Sequence, residues 1–233
     1  MEILANSNVV SPASSVCFLT GVSRPTSLSR VSHRLSDDKS IALAELLQVL
    51  CCGEESAVFA FQRLSGKESL QEVSRRELLR ISSEEEVHEV LLSGLRASLP
   101  SLEVDLGLQR RLRRFFISLE SREMGVHFAR LAALDSGVCA ILGELQRPEA
   151  VLKGKEHGIL EIFRKIHQDE ANHVRTALTL GREMLERKRL EDEIMNTRER
   201  LSKLLMSKSH AFETLGVDSD RLHKKLHRCP RLS

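Results

Sequence analysis

From Asp38 onward, apolar residues recur at intervals of three and four, and no stretch of useful length alternates apolar with polar residues. A chain patterned this way buries helix stripes rather than a sheet face, so the expected fold class is all-α. Only five prolines punctuate it, at 12, 25, 100, 148 and 230. Because proline stops helices, these positions bound the long segments.

The first helix is expected over about 39–64. Ser36, Asp37 and Asp38 offer N-caps, "SGK" at 65–67 stops it, and Leu43, Leu46, Leu47, Leu50, Ala57, Val58 and Phe61 share a face. The second spans about 70–99 and ends at Pro100, with a kink or fresh start where Ser82 or Ser83 can cap. The connection "PSLEVDLGLQ" follows, long enough to cross a small bundle at about 33 Å when extended. The third helix is expected over about 109–145, bent at Gly125 or Gly137. The fourth runs from near Lys155 to about Ser207. Beyond about residue 185 it is heavily charged with sparse apolar residues, which reads as a protruding helix or helical hairpin offering a partner surface. "DSDRLHKKLH", 218–227, reads as a short capped C-terminal helix. Four main helices in series predict a four-helix bundle. The expected organisation is an N-terminal arm over 1–37, a bundle with its helical extension over 38–207, and a C-terminal tail over 208–233.

Composition removes several function classes. The 233 residues suffice for one sizeable core. Charged residues make up 29%, yet the net charge is only +2, which disfavours a phosphate-tracking surface, and nucleic acid is not an expected partner. There is no Trp or Tyr, and eight Phe are too few for a base-stacking platform. No apolar run reads as a membrane span. Residues 1–36 hold a single acid, Glu2, with many Ser, a loose match to an organellar targeting segment without a clear Arg face. A flexible or loosely docked arm is the simpler expectation. The five cysteines are odd in number and lack zinc-type spacing, so they read as small buried thiols of a reducing, cytoplasmic compartment. No Gly-rich phosphate loop and no Gly-x-Ser-x-Gly elbow occurs.

The chemistry is concentrated in acids placed on apolar helices. "CCGEESAVFAF", 51–61, puts Glu54 and Glu55 in the middle of the first helix. Ala57, Val58 and Phe61 lie three, four and seven residues beyond Glu54, a uniformly apolar set, so Glu54 is favoured over Glu55 as the inward acid. Glu55 is then expected nearer the helix edge. The second and fourth helices each carry a Glu-x-x-His, Glu85 with His88 and Glu170 with His173. Residues three apart share a helix face, so each pair can hold one metal. Carboxylate oxygen with imidazole nitrogen suits iron or manganese and does not exclude zinc. On the third helix, a 3.6-residue period through Phe116, Glu120, Glu123, His127, Leu131 and Leu134 turns both glutamates inward. His127 on that face is a further ligand, a proton carrier or a core histidine. Acids buried in this number without a cation would be very costly, so inward orientation implies metal.

With one acid on the first helix, Glu-x-x-His on the second, an acid on the third and Glu-x-x-His on the fourth, the chain resembles the ferritin-like di-iron carboxylate superfamily. "GEESAVFAF", "EEEVHEVLL" and "DEANHV" are similar to its rubrerythrin-like and quinone-hydroxylase branches over roughly residues 40–185. The resemblance implies two iron ions, with manganese as the alternative. It implies that Glu85 and Glu170 bridge them. Glu54 with His88 and a helix-three glutamate with His173 would then cap the ends. Both Glu120 and Glu123 are candidates, and "ESRE" resembles paired glutamates in some rubrerythrin-like sites. Asp169, and Glu84 in the equivalent position, would hold a ligand imidazole by its far N–H, although Glu84 reads equally well as a solvated acid.

The implied function is activation of oxygen or peroxide, in an oxidase or monooxygenase acting on a small-molecule or lipophilic substrate. Phe59, Phe61, Phe115, Phe116 and Phe128 would line its pocket or simply pack the core. Without Tyr there is no stored tyrosyl radical, and without a four-cysteine rubredoxin module the electron donor must be external. The alternatives are ferroxidase or peroxide-detoxifying iron handling, and a non-enzymatic helical interaction protein; a homodimer is compatible with each. The 47 residues from Glu123 to Glu170 require longer helices than in compact family members, or an insert near 137–158.

Overall fold

The computed structural model describes residues 35–103, 105–148, 150 and 157–230. The expected N-terminal arm and targeting segment lie largely outside these residues. Among the described residues there are eight helices and no strand. They are α1 (Asp37–Ser65), α2 (Glu72–Ala97), α3 (Leu106–Ile117), α4 (Met124–Leu145), α5 (His157–Met184), α6 (Arg187–Met206), α7 (Ser209–Thr214) and α8 (Ser219–Leu226). The fold is all-α, with helix packing compatible with a bundle.

Two antiparallel hairpins, α1–α2 and α4–α5, form the main body. Across the hairpins His88 meets Asp169 while His173 meets Glu84, so α2 and α5 run in opposite directions. It follows that α2 and α4, consecutive main helices, point the same way. A chain can do this only by returning along the bundle, and α3 occupies that return, packed against α1 and α6. Bundles with one such long crossover are a known arrangement.

The apolar residues expected on the first helix are all buried, from Leu43 to Phe61. α2 is continuous through Ser82 and Ser83, with no fresh start there. Asp105 caps α3 by accepting from the Leu108 N–H at 2.8 Å, and Asp218 caps α8 through the Arg221 N–H at 2.9 Å. α4 is buried on nearly all sides, which matches its continuous apolar character. It has the length and hydropathy of a membrane span, contrary to the sequence reading, but 78% of that window is enclosed by the bundle.

Two expected long helices are broken. The third helix divides into α3 and α4 around residues 118–123. Neither glycine nor proline marks the break. Arg130 reaches back from α4 and donates to the Ser118 and Glu120 carbonyls at 3.2 and 3.3 Å, groups that a continuous helix would use internally. The fourth helix ends at Met184, and the charged segment folds back as α6. It is not a protruding extension: Leu190, Ile194, Leu201 and Leu205 bury one stripe, and α6 packs chiefly on α4. Gly125 permits the reversal, since a Cβ there would lie 2.7 Å from Leu185 Cγ and 2.9 Å from Met184 Cβ. Cys51, Cys139 and Cys229 are free thiols.

Phe61 is fully buried, with its ring centroid 6.1 Å from that of His173. Truncation by Phe61→Ala is expected to cost about 3–5 kcal/mol, from lost burial plus the cavity left behind. Urea unfolding of the two proteins measures it, and a difference below about 1 kcal/mol would mean that the site collapses around the deletion.

Candidate metal centre

Each helix of the main body places one acid or one Glu-His pair at the same level of the bundle. α1 supplies Glu54, α2 supplies Glu85 and His88, α4 supplies Asp135, and α5 supplies Glu170 and His173. Donor atoms of Glu54, Glu85, His88 and Glu170 lie within 4.8 Å of one another, as do those of Asp135, Glu170 and His173. The two groups share Glu170. All six residues are at most 3% exposed.

The imidazoles organise the cluster. His88 Nδ1 faces Glu54 at 3.4 Å and Glu85 and Glu170 at 3.3 Å each. His173 Nδ1 faces Glu85 at 3.0 Å and Glu170 at 3.7 Å. The two Glu85 oxygens therefore address different imidazoles, and Glu170 also lies between the rings. Neither Nδ1 has the alignment of a hydrogen bond, and Glu54 Oε1, both Glu85 oxygens and Asp135 Oδ2 are likewise buried without one. Orphaned polar atoms of this kind each cost free energy unless something satisfies them.

Outside the cluster, each ring is held by its far nitrogen. His88 Nε2–H donates to Asp169 at 3.0 Å, and His173 Nε2–H donates to Glu84 at 2.9 Å. Each outer carboxylate immediately precedes the glutamate of the opposite pair, so the two straps cross the α2–α5 interface. Lys165 pairs with Asp169 and Arg80 with Glu84, each one turn earlier on its own helix. Fixing Nε2 as the donor leaves the Nδ1 lone pair for a metal. Outer partners of this type typically contribute 10–100-fold to metal affinity. Asp169→Asn is accordingly expected to weaken metal binding by about that factor, measured by competition with a chromophoric chelator. An unchanged affinity would show that the strap does not orient the ring.

Among the described residues, no Lys or Arg pairs with Glu54, Glu85, Asp135 or Glu170. Glu144 on α4 shows the contrast: it is equally buried, but Arg221 and Lys225 pair with it at 2.7 and 2.5 Å. Where no metal is bound, protons supply the missing positive charge. Burial, reinforced by Glu85, pushes the Glu54 carboxyl well up. Burial with the Glu170 and Glu85 charges does the same to Asp135. Burial would raise Glu85 too, but the His173 and His88 contacts outweigh it and hold it at about 2. Burial opposes charge on His173, yet Glu170 and Glu85 raise it to about 11, and His88 is raised by Glu170, Glu54 and Glu85 in the same way. Both imidazoles, Glu54 and Asp135 thus hold their protons more tightly than usual, and a metal competes with those protons. Metal binding is expected to release protons and to weaken as pH falls. Calorimetric titration in buffers of different ionisation enthalpy counts them, and a pH-independent affinity would contradict the protonated cluster.

The cluster's oxygen and nitrogen donors, without sulfur, fit a hard or borderline divalent cation. The residues present can hold a metal ion.

Not every candidate residue is brought here. Glu120 and Glu123, expected on the inner face of the third helix, lie in the break before α4 and stand exposed. Glu120 pairs with Arg63 at 2.7 Å and Glu123 with Arg189 at 2.6 Å. The helical period used to turn them inward does not run through that break. Asp135 occupies the α4 position instead. Two signals pointed to it: it interrupts the apolar run "RLAALDSGVCAIL" as Glu54 does its own, and 35 residues separate it from Glu170, close to the 31 between Glu54 and Glu85. The long 47-residue spacing that demanded an insert applies to Glu123 alone. His127 is buried two turns before Asp135, about 12 Å along the helix, and burial pushes its imidazole down to about 4. Glu55, expected nearer the helix edge, is buried at 2% exposure. Of the phenylalanines, Phe61 lies beside His173, Phe116 packs on Gly53 next to Glu54, Phe115 and Phe128 fill the core, and Phe59 is exposed.

Comparison with protein-family models, with curated proteins and with solved structures finds no match to this chain.

Proposed function

We propose that this chain is a ferritin-like di-iron carboxylate protein that reduces dioxygen or peroxide with electrons from an external donor, as an oxidase or monooxygenase acting on a small or lipophilic substrate. The observation that carries this reading is the convergence of unpartnered Nδ1 and carboxylate oxygens from four helices, Glu-x-x-His on two and a single acid on each of the others. That donor distribution, with one long crossover between hairpins, is the one used by ferritin-like di-iron bundles.

Glu54, Glu85, His88 and Glu170 would hold one ion, and Asp135, Glu170 and His173 the other, with Glu85 reaching both. Ferrous iron bound there supplies the electrons and the open coordination that reduction of oxygen or peroxide requires. The chain's own residues supply the rest. Glu85 and Glu170 tie the two positions together from between the imidazoles. Asp169 and Glu84 keep both Nδ1 atoms facing inward. Phe61 and the flanking apolar side chains keep water from the donors. The burial of every donor favours a small oxidant and a slim substrate. The electron donor would be external, because the chain has no four-cysteine set for a rubredoxin-type iron centre.

Anaerobic titration with ferrous iron is expected to saturate at about two ions per chain. Loading at about a hundredfold over Kd adds about 2.7 kcal/mol per site, or about 5–10 °C in Tm for a domain of this size. Exposure to oxygen or hydrogen peroxide should then oxidise the iron far faster than in buffer. Bound iron that reoxidises only at the buffer rate would sink the oxygen-activating reading. Rapid oxidation with no substrate turnover would move it to ferroxidase or peroxide removal.

A further inference from the structure

The outer face of α2 is unusually apolar for a surface. Val73, Leu79, Val87 and Val90 are 71, 47, 52 and 40% exposed, and Phe59 on the neighbouring α1 is 39% exposed. Together they account for more than half of the large apolar side chains exposed among the described residues. Single exposed apolar residues are ordinary, but a contiguous stripe marks a contact surface. Arg76, Leu79, Arg80, Ser83, Val87 and Val90 lie within about 120° of arc on α2, with exposed Glu86 at its edge.

The stripe is complementary to itself. Turned end for end about Ser83, it places Leu79 opposite Val87 and Arg80 opposite Glu86 of a second copy. It also lays the aliphatic stem of Arg76 along Val90. Ser83 itself would meet Ser83 at the axis. Its hydroxyl already donates to the Leu79 carbonyl at 3.1 Å, so the crossing point is small and has no polar group to strand. Arg80 uses three N–H groups on Glu77 and Glu84, and a guanidinium has five, so donors remain for a third carboxylate. Among the described residues, Glu86 meets the Gln62 amide, at 3.1 Å. The fifth apolar residue, Phe59, flanks the axis, because the Ser82 hydroxyl donates to the adjacent Val58 carbonyl.

We infer that the α2 outer face is a homodimer interface, in which two copies of this chain pair their α2 helices antiparallel about a two-fold axis at Ser83. Such an isologous contact needs one patch that is its own partner, and opposite charges at equal distances from the axis set both register and direction. The inference does not depend on which metal the cluster holds.

The full-length chain is expected to sediment at twice its 26.3 kDa mass at tens of micromolar. Val87→Asp with Val90→Asp should shift it to the monomer by at least tenfold in Kd. Both side chains are exposed, so the circular dichroism spectrum should be unchanged. Because a dimer could form elsewhere, Ser83→Cys adds a positional test. It should form an intermolecular disulfide under mild oxidation, absent from wild type on a non-reducing gel, while Arg76→Cys, off the axis, should crosslink far more slowly. A monomer at 100 μM overturns the proposal. So does a dimer that survives the double aspartate variant, or a Ser83→Cys protein that crosslinks no faster than wild type.

Discussion

The Glu170→Ala protein is expected to lose the second metal and to hold the first about a hundredfold more weakly. Glu170 is the residue that belongs to both donor groups, lying 3.3 Å from His88 Nδ1 and 3.7 Å from His173 Nδ1. Its deletion removes an oxygen from each group and the charge that faces both imidazoles. Anaerobic titration followed by iron analysis after desalting measures the effect. Retention of two ions at wild-type affinity would remove Glu170 from the site and with it the dinuclear reading. The conservative variant Glu170→Gln separates charge from packing. It preserves volume, so it should fold as wild type and still lose most of the affinity.

Asp135→Ala should likewise abolish binding at the His173 end, by about 100-fold or more, while Glu120→Ala with Glu123→Ala should change metal affinity by less than about twofold. The physical basis is burial. Asp135 is 2% exposed, has an orphaned oxygen, and the charges that act on it most strongly are those of cluster members. Glu120 and Glu123 already pair with Arg63 and Arg189 in water. Losing those exposed pairs should cost at most about 1 kcal/mol of stability. The same titration decides it. If the double glutamate variant loses metal and Asp135→Ala does not, the α4 donor has been wrongly placed.

The contrast between Asp135 and the two glutamates shows what sequence periodicity can carry. A 3.6-residue period assigns a face only while the helix continues. From Glu54 to Phe61 it continues, so the face containing Glu54 could be read from its apolar neighbours at three, four and seven residues. Across residues 118–123 it does not, and the inward face drawn through Glu120 and Glu123 ended with the helix. Arg130 bridges that break by donating to the Ser118 and Glu120 carbonyls, a contact between residues 10 and 12 apart that no local propensity encodes. The α5–α6 reversal has the same origin. Its permitting residue, Gly125, sits on a different helix from the turn, about sixty residues earlier in the chain.

The sequence by itself determined the helical class, the two Glu-x-x-His pairs and the favoured orientation of Glu54, because each rests on side chains within two turns of one helix. The tertiary structure decided which acid α4 offers, that α6 lies along the bundle, and which imidazole each outer acid holds. The last of these depends on residues more than eighty positions apart. Contacts at that separation arise from how helices pack, and packing is chosen by the whole core rather than by any stretch of it.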